Sequence, residues 1–509
     1  MRLALGDQPV TIADVVTASG GGAEVTATSA ARERMVRARH VLDDFLARDI
    51  PVYGLNTGMG ANIGHRIEPA QAASMQRALI LPRAAAVGEP LPLETCRAVL
   101  FCRLAGLAQG GAGVSLPVFD HLCAMFAKDV IPAIPRHGSI GASDLVQTMH
   151  LAAAAIGEGQ VYYDGKVLDA RSALAKAGLA IPQLAPKDGL SVGSASSVTV
   201  GAAALAVDAL DGLIATHTVA AALACQGFGA NPYLFEHRAT AARPSAGQVR
   251  AAALFRHVLD GSNFFERAPR KVQDAISFRG LQQITGTAIA AIDNARDETE
   301  VELNAAADNP LVFGDTGEIM PSANFLTVSL ALAFDNLAIA LAQLGTASAQ
   351  RSIKLMTGRL SGLPNYLSPV GGASAGFVPM QKTIGALQSE IRLRATPASL
   401  DALVVSDMVE DIGANSLLAV SKLTEQMEPL RWLVSIEAML AAQAVDLRRG
   451  GGETVSLSAA SAGLYKTVRA ATPVLEADRA TGPDVQAVHR QLWSRSSVAA
   501  MRAIAYGRS

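Results

Sequence analysis

Apolar positions along this chain follow helical spacing more often than strict alternation. Alanine and leucine dominate long stretches with few β-branched alternations, a pattern that predicts helix through most of the sequence. "QAASMQRALI", "AVLFCRLAGLAQ" and "HLCAMFAKDV" read as successive helices, and from about Val198 to Glu428 the helical pattern is nearly continuous. It is broken by "EHRATAARPSAG", "AAADNPLVFGDTGEIMPSAN" and "LSGLPNYLSPVGGASAG". Helices of this length predict a bundle whose core is extended by partner subunits. One exception is "GQVYYDGKVLDA", which predicts a small hairpin turning at Asp164 and Gly165. Glycine- and proline-rich loops fall at "NTGMGANIGHRIEP", "IPAIPRHGSIGAS" and "LAPKDGLSVGSASS", and these loops hold the unusual residues. The expected organisation is mainly α. Residues 1–197 form a mostly helical N-terminal domain, 198–428 a central long-helix bundle and 429–509 a C-terminal helical segment, together one integrated catalytic unit.

Length and charge narrow the partners. A chain of 509 residues, half of them hydrophobic, can bury a large core. Its formal charge of -2 exerts no general pull on nucleic acid, so no nucleic-acid partner is expected. The opening "MRLALGDQPVTIADVV" meets Asp7 and Asp14 where a signal peptide would remain uncharged, and is expected to be mature protein. The most membrane-like stretch, from Phe325, carries Asp335 and Asn336 at its middle; a buried bundle helix is expected there and no membrane span. Cys96, Cys102, Cys123 and Cys225 show neither metal-ligand nor disulfide spacing, which points to a cytoplasmic location and no metal.

Several motifs share one order along the chain: "YGLNTGMG" from Tyr53, "GSIGAS" followed by "DL", "LAPKDGL" from Leu184, "VQDAISFR" from Val272, "NAAADNPLVF" from Asn304, "SANF" from Ser322 and "GLPNYL" from Gly362. Together they resemble the aromatic amino acid ammonia-lyases, and histidine ammonia-lyase in particular. The resemblance implies a helical homotetramer with active sites shared between subunits, acting on a small molecule. In typical members an Ala-Ser-Gly tripeptide cyclises to a methylideneimidazolone, an electrophile that helps expel ammonia. Ring closure needs glycine third, because its nitrogen attacks the alanine carbonyl in a crowded turn. Here Ala142 and Ser143 are followed by Asp144. Ser194 stands where the family has a ring-supporting asparagine, and Ile276 where it has a tyrosine. Three changes in one apparatus imply that the group is absent and that no cofactor is used.

The same resemblance carries roles onto matching residues. Tyr53 matches the family's base for the β-proton, and Arg279 matches the carboxylate clamp, a task that suits a planar guanidinium. Gln273, Asn309 and Phe325 match residues lining the pocket, as does the Ser194 position, and Glu410 matches a glutamate beside the leaving-group region. Asp407 and Asp411 remain alternatives for that carboxylate.

Without an electrophile, the leaving group must arrive activated, and a quaternary ammonium departs as a neutral amine. One branch resembling histidine ammonia-lyase, ergothionase, removes trimethylamine from ergothioneine to give thiolurocanate. This betaine is the substrate the sequence implies. Loss of the β-proton then requires charge stabilisation at the thioimidazole, and two cations are candidates. Lys382, in "GFVPMQKTIGAL", is the first choice; Arg83, in "LILPRAAAVG", falls at the ring-selecting dipeptide and could instead be structural. Tyr53 and Phe325 could face the quaternary nitrogen through cation-π contact. A methylideneimidazolone-dependent ammonia-lyase or aminomutase, and a catalytically inactive homologue, stay open as alternatives.

Overall fold

A computed structural model describes residues 1–400 and 403–506. Helices make up 59% of the described residues and strands 7%, which establishes the mainly α fold. The helices predicted from pattern are present as Met75–Ile80, Leu93–Ala108 and Leu116–Ala127, followed by the long Ser197–Phe228, Leu281–Leu303, Val328–Leu355 and Ser416–Gly450. The last of these passes through 428–429, where the sequence suggested a boundary. Side-chain caps start several helices: Thr28 accepts from Ala31 N, Asp169 from Ser172 N and Ser458 from Ser461 N. Each such cap is worth about 1 kcal/mol.

By compactness the chain forms two units, each assembled from three segments. The first comprises Met1–Asp208, Ala295–Phe334 and Pro397–Ser421; the second comprises Ala209–Asn294, Asp335–Thr396 and Lys422–Ser509.

In the first unit the helix Leu93–Ala108 is apolar around most of its circumference and is buried accordingly, with Leu100, Phe101, Leu104 and Leu107 inside. Beside it, Leu42 packs with Ala38, Val52, Leu55 and Val312. Burying one such leucine contributes about 1.5–3 kcal/mol. The predicted hairpin pairs Gln160–Tyr163 with Lys166–Asp169. Asp164 and Gly165 both take positive φ, 50° and 70°, as a tight two-residue turn requires.

The second unit is held by long helices and a buried ion pair. Arg351 binds both oxygens of Glu437 at 2.5 and 2.9 Å, with both side chains fully buried and Ser348 Oγ donating to the same carboxylate at 2.6 Å. Asp335, the acidic residue that argued for a core helix, is buried and paired with Lys422 at 2.7 Å. Among the described residues two stretches, Asp188–Phe228 and Val328–Leu355, are long and apolar enough to cross a membrane. However, 72% and 61% of their apolar windows are buried inside the structure, as in the core helices of a folded protein. All four cysteines are free thiols, and burial pushes Cys96 and Cys123 up to about 12.

Candidate active site

The candidate residues divide between the two units. Tyr53, Arg83, Ala142, Ser143, Asp144, Ser194, Asn309, Phe325 and Glu410 belong to the first, and Gln273, Arg279 and Lys382 to the second.

In the first unit the short helix Asp188–Gly193 is the organising element. Asp188 fixes it by accepting from Ser115 N (2.8 Å), Ser115 Oγ (2.7 Å) and Ala185 N (2.7 Å). Lys187, in the left-handed region at φ 72°, is buried and donates to Ala112 O at 2.7 Å. Desolvation lowers its ammonium to about 8. Arg103 reaches from the core helix to the carbonyl of Ser191 and to Asp308 at 2.8 Å, tying the short helix to the residue before Asn309. Asn309 in turn accepts from Ser322 N at 3.0 Å through its side chain, three residues before Phe325.

The Tyr53 loop lies against this helix. Gly54 has φ +69°, and a Cβ there would come within 2.2 Å of Leu190 Cδ2, so only glycine permits the approach. Asn56 holds the turn by accepting from Val52 N and donating to Ile50 O. The Tyr53 phenol oxygen accepts from Gly60 N at 3.0 Å. The residues that follow Tyr53 border a cavity of about 430 Å³, lined by Gly54, Thr57, Gly58, Met59, Asn62, His65, Ile67, Met75, Gln76, Ala78, Leu79 and Arg83; Tyr53 itself is not in its lining. Arg83 thus shares a cavity with the Tyr53 loop, while one of its guanidinium nitrogens donates to Leu79 O at 2.9 Å.

The loop at 138–144 ends in a buried carboxylate. Asp144 is the N-cap residue of the helix Leu145–Ala155; its N–H donates to Ala195 O at 2.8 Å. Its side chain accepts from Ser139 Oγ (2.6 Å), Thr199 N (2.7 Å) and Thr199 Oγ1 (2.9 Å). Burial raises this carboxyl's pKa while the three donors oppose the rise. Ser143 takes φ 53° and donates its N–H to Phe325 O at 3.1 Å; Ser196 Oγ donates to the same carbonyl. Ser194 caps the end of the short helix one residue before Ala195. The segment bearing Glu410 is drawn in by Asn415, whose N–H donates to Ile140 O at 2.9 Å, and Glu410 pairs by backbone with Val405. Ala142, Ser143, Asp144, Ser194 and Phe325 are therefore joined by direct bonds or chain adjacency, and Glu410 through its segment.

In the second unit Arg279 closes the short helix Ile276–Arg279 and donates to Gln273 Oε1, so these two predicted residues meet. Arg270 secures the approach by donating to Phe228 O and Ser361 O. Lys382 is exposed in the first turn of the helix Met380–Leu393. Residues that sequence reasoning missed are Gly60, the donor to Tyr53, and Ser139 and Thr199, the donors to Asp144. Gly60 lies inside the quoted tyrosine motif, whereas Thr199 sits on an apolar helix with no local signal.

The profile of the aromatic amino acid lyase family matches residues 10–470. Histidine ammonia-lyase from Treponema denticola is 37% identical over 456 residues, covering 88% of this chain and 90% of that protein; its namesake from Deinococcus radiodurans is 36% identical, covering 96% and 93%. Among solved structures, ergothionase from Treponema denticola, in complex with desmethyl-ergothioneine sulfonic acid, superposes with a TM-score of 0.93 at 30% identity. That match covers 98% of this chain and 99% of that one. Histidine ammonia-lyase from Trypanosoma cruzi gives 0.89 at 30% identity, covering 100% and 96%.

These relatives correct one expectation. Histidine ammonia-lyases use the methylideneimidazolone made from Ala-Ser-Gly, so a cofactor-free enzyme does not follow from three sequence departures in a chain this similar to them. At the loop itself the third residue is Asp144, with its N–H committed to Ala195 and its carboxylate sealed beneath Thr199. As they stand, these residues do not fit closure of that ring.

Proposed function

Because this chain belongs to the aromatic amino acid lyase family and so to the carbon-nitrogen lyases, we propose that it eliminates trimethylamine from ergothioneine to give thiolurocanate. The observation that carries this reading is a cation in the cavity beside the loop of the proposed base: Arg83 lines the same space as Gly54, Thr57 and Gly58, the residues that follow Tyr53. A guanidinium beside the ring region stabilises negative charge developing on a thioimidazole, a charge that a benzene ring has no heteroatom to carry. The ergothionase likeness supports the same substrate.

In the proposed step Arg279, oriented by Gln273, holds the substrate carboxylate. Tyr53 takes the β-proton, and the electrons of that C–H bond form the Cα–Cβ double bond as the Cα–N bond breaks. Both electrons of the broken bond leave on nitrogen, so trimethylamine departs neutral and needs no proton from the protein. Lys382 and Arg83 polarise the thioimidazole, Glu410 orients the ring or pairs with the ammonium, and Asn309, Phe325 and Ser194 shape the pocket. The Tyr53 proton passes to solvent. We extend the proposal to a homotetramer with shared sites, located in the cytoplasm.

A second reading, deamination of histidine, is favoured by the 36–37% identity to histidine ammonia-lyases. Purified protein given ergothioneine and histidine in parallel, followed by ultraviolet absorbance and amine release, separates the two. Turnover of ergothioneine alone is the expected result. Turnover of histidine, with an intact mass short by two waters, would establish the second reading instead.

A further inference from the structure

The loop preceding the helix Met380–Leu393 holds an unfavourable backbone. Tyr366 and Leu367 take φ of 58° and 56°, a region L side chains avoid, and Gly376 at φ +50° lies so near Tyr366 O that a Cβ would approach within 2.6 Å. Within the loop Phe377 N donates to Tyr366 O at 3.0 Å, and the Ser368 and Ser374 hydroxyls share a hydrogen bond at 2.6 Å. A residue just over a hundred positions away clamps the 374–376 turn: Asp478 accepts from Ser374 Oγ at 2.6 Å, Ala375 N at 2.7 Å and Gly376 N at 2.9 Å. These donors hold its carboxyl below the usual carboxylate range.

The segment bearing Asp478 is itself braced. Gln443 donates to Leu475 O and Leu367 O and accepts from Leu475 N, and Arg479 pairs with Asp484 at 3.0 Å while donating to Val474 O and Pro473 O. From the clamped turn, backbone bonds run without a break to Lys382: Val378 N to Ala375 O, Met380 N to Phe377 O, Gln381 N to Val378 O and Lys382 N to Pro379 O. Any rotation of the turn is transmitted to the first turn of the helix.

We propose that Asp478 is a positioning residue, clamping the 374–376 turn so that the following helix presents Lys382 to the substrate ring. This rests on the reading above, in which Lys382 polarises the thioimidazole. The test uses the full chain, with Asp478→Asn, Lys382→Met and the double variant. An amide offers these three donors one good acceptor instead of two, while keeping the size of an exposed side chain. Two readouts are taken: kcat on ergothioneine, and the ¹³C resonance of reductively methylated Lys382 without substrate, assigned by its loss in Lys382→Met.

The expected result is a shifted Lys382 resonance in Asp478→Asn and a kcat loss of about tenfold that disappears in the Lys382→Met background, the non-additivity of two residues acting as one. An unmoved resonance overturns the proposal whatever the turnover. A resonance that moves with losses that multiply independently also overturns it, because the clamp would then act through another group. A moved resonance in a protein inactive on ergothioneine upholds the clamp and sinks the substrate reading alone.

Discussion

The phenol oxygen of Tyr53 accepts the backbone N–H of Gly60 at 3.0 Å, within a loop that Gly54 allows to press onto Leu190. The same contact fixes where a base would stand. Tyr53→Phe keeps the ring and removes both base and acceptor. Turnover is expected to fall by about 10²–10⁴-fold with the thermal midpoint nearly unchanged, measured by steady-state kinetics beside differential scanning calorimetry.

Arg279 and Gln273 present a fork already oriented by one hydrogen bond. Lysine retains the charge but loses the planar pair of donors. Arg279→Lys should raise KM by about 10–100-fold, matching the loss of one charge-assisted bond, with a smaller change in kcat. An unchanged KM would remove Arg279 from carboxylate binding.

Arg103 and Asp308 are each 2% exposed, and they tie the short helix to the segment before Asn309. Removing one partner leaves a buried charge uncompensated. Arg103→Met should cost about 3–5 kcal/mol, read from urea unfolding, whereas replacing both residues with apolar ones should recover much of that loss. A single variant as stable as the parent would contradict the buried geometry.

Lys187 gives a pH dependence of definite sign. Its folded pKa, about 8, lies below the ordinary 10.5, so between those values the unfolded chain holds more protons than the folded one. Its contribution to stability therefore rises with pH across that window, by up to ~1.4 kcal/mol per unit. The check is the difference in unfolding free energy between wild type and Lys187→Met from pH 7 to 10.5, which removes the titration of other groups. A flat difference would mean that the ammonium is not desolvated.

Much of this protein was determined by sequence where the physics is local. Helical spacing of alanine and leucine predicted the bundle, and Asp164 with Gly165 predicted a hairpin, because few other residue pairs tolerate positive φ side by side. The motif around Tyr53 also contained its partner Gly60, since both lie in one tight loop. The sequence departure at Asp144 was visible too, but its inference of a cofactor-free enzyme did not survive comparison with whole relatives. Only the tertiary structure decided the rest. Thr199 reaches Asp144 across 55 residues, Arg103 meets Asp308 across 205, and Asp478 grips a turn 102–104 residues away. Lys187 illustrates why: composition places lysine at the surface, while here a left-handed backbone and a carbonyl at Ala112 draw it inside. Periodicity records which face of an element is apolar, but a buried charge or distant clamp depends on which elements meet, and that is settled only when the chain is packed.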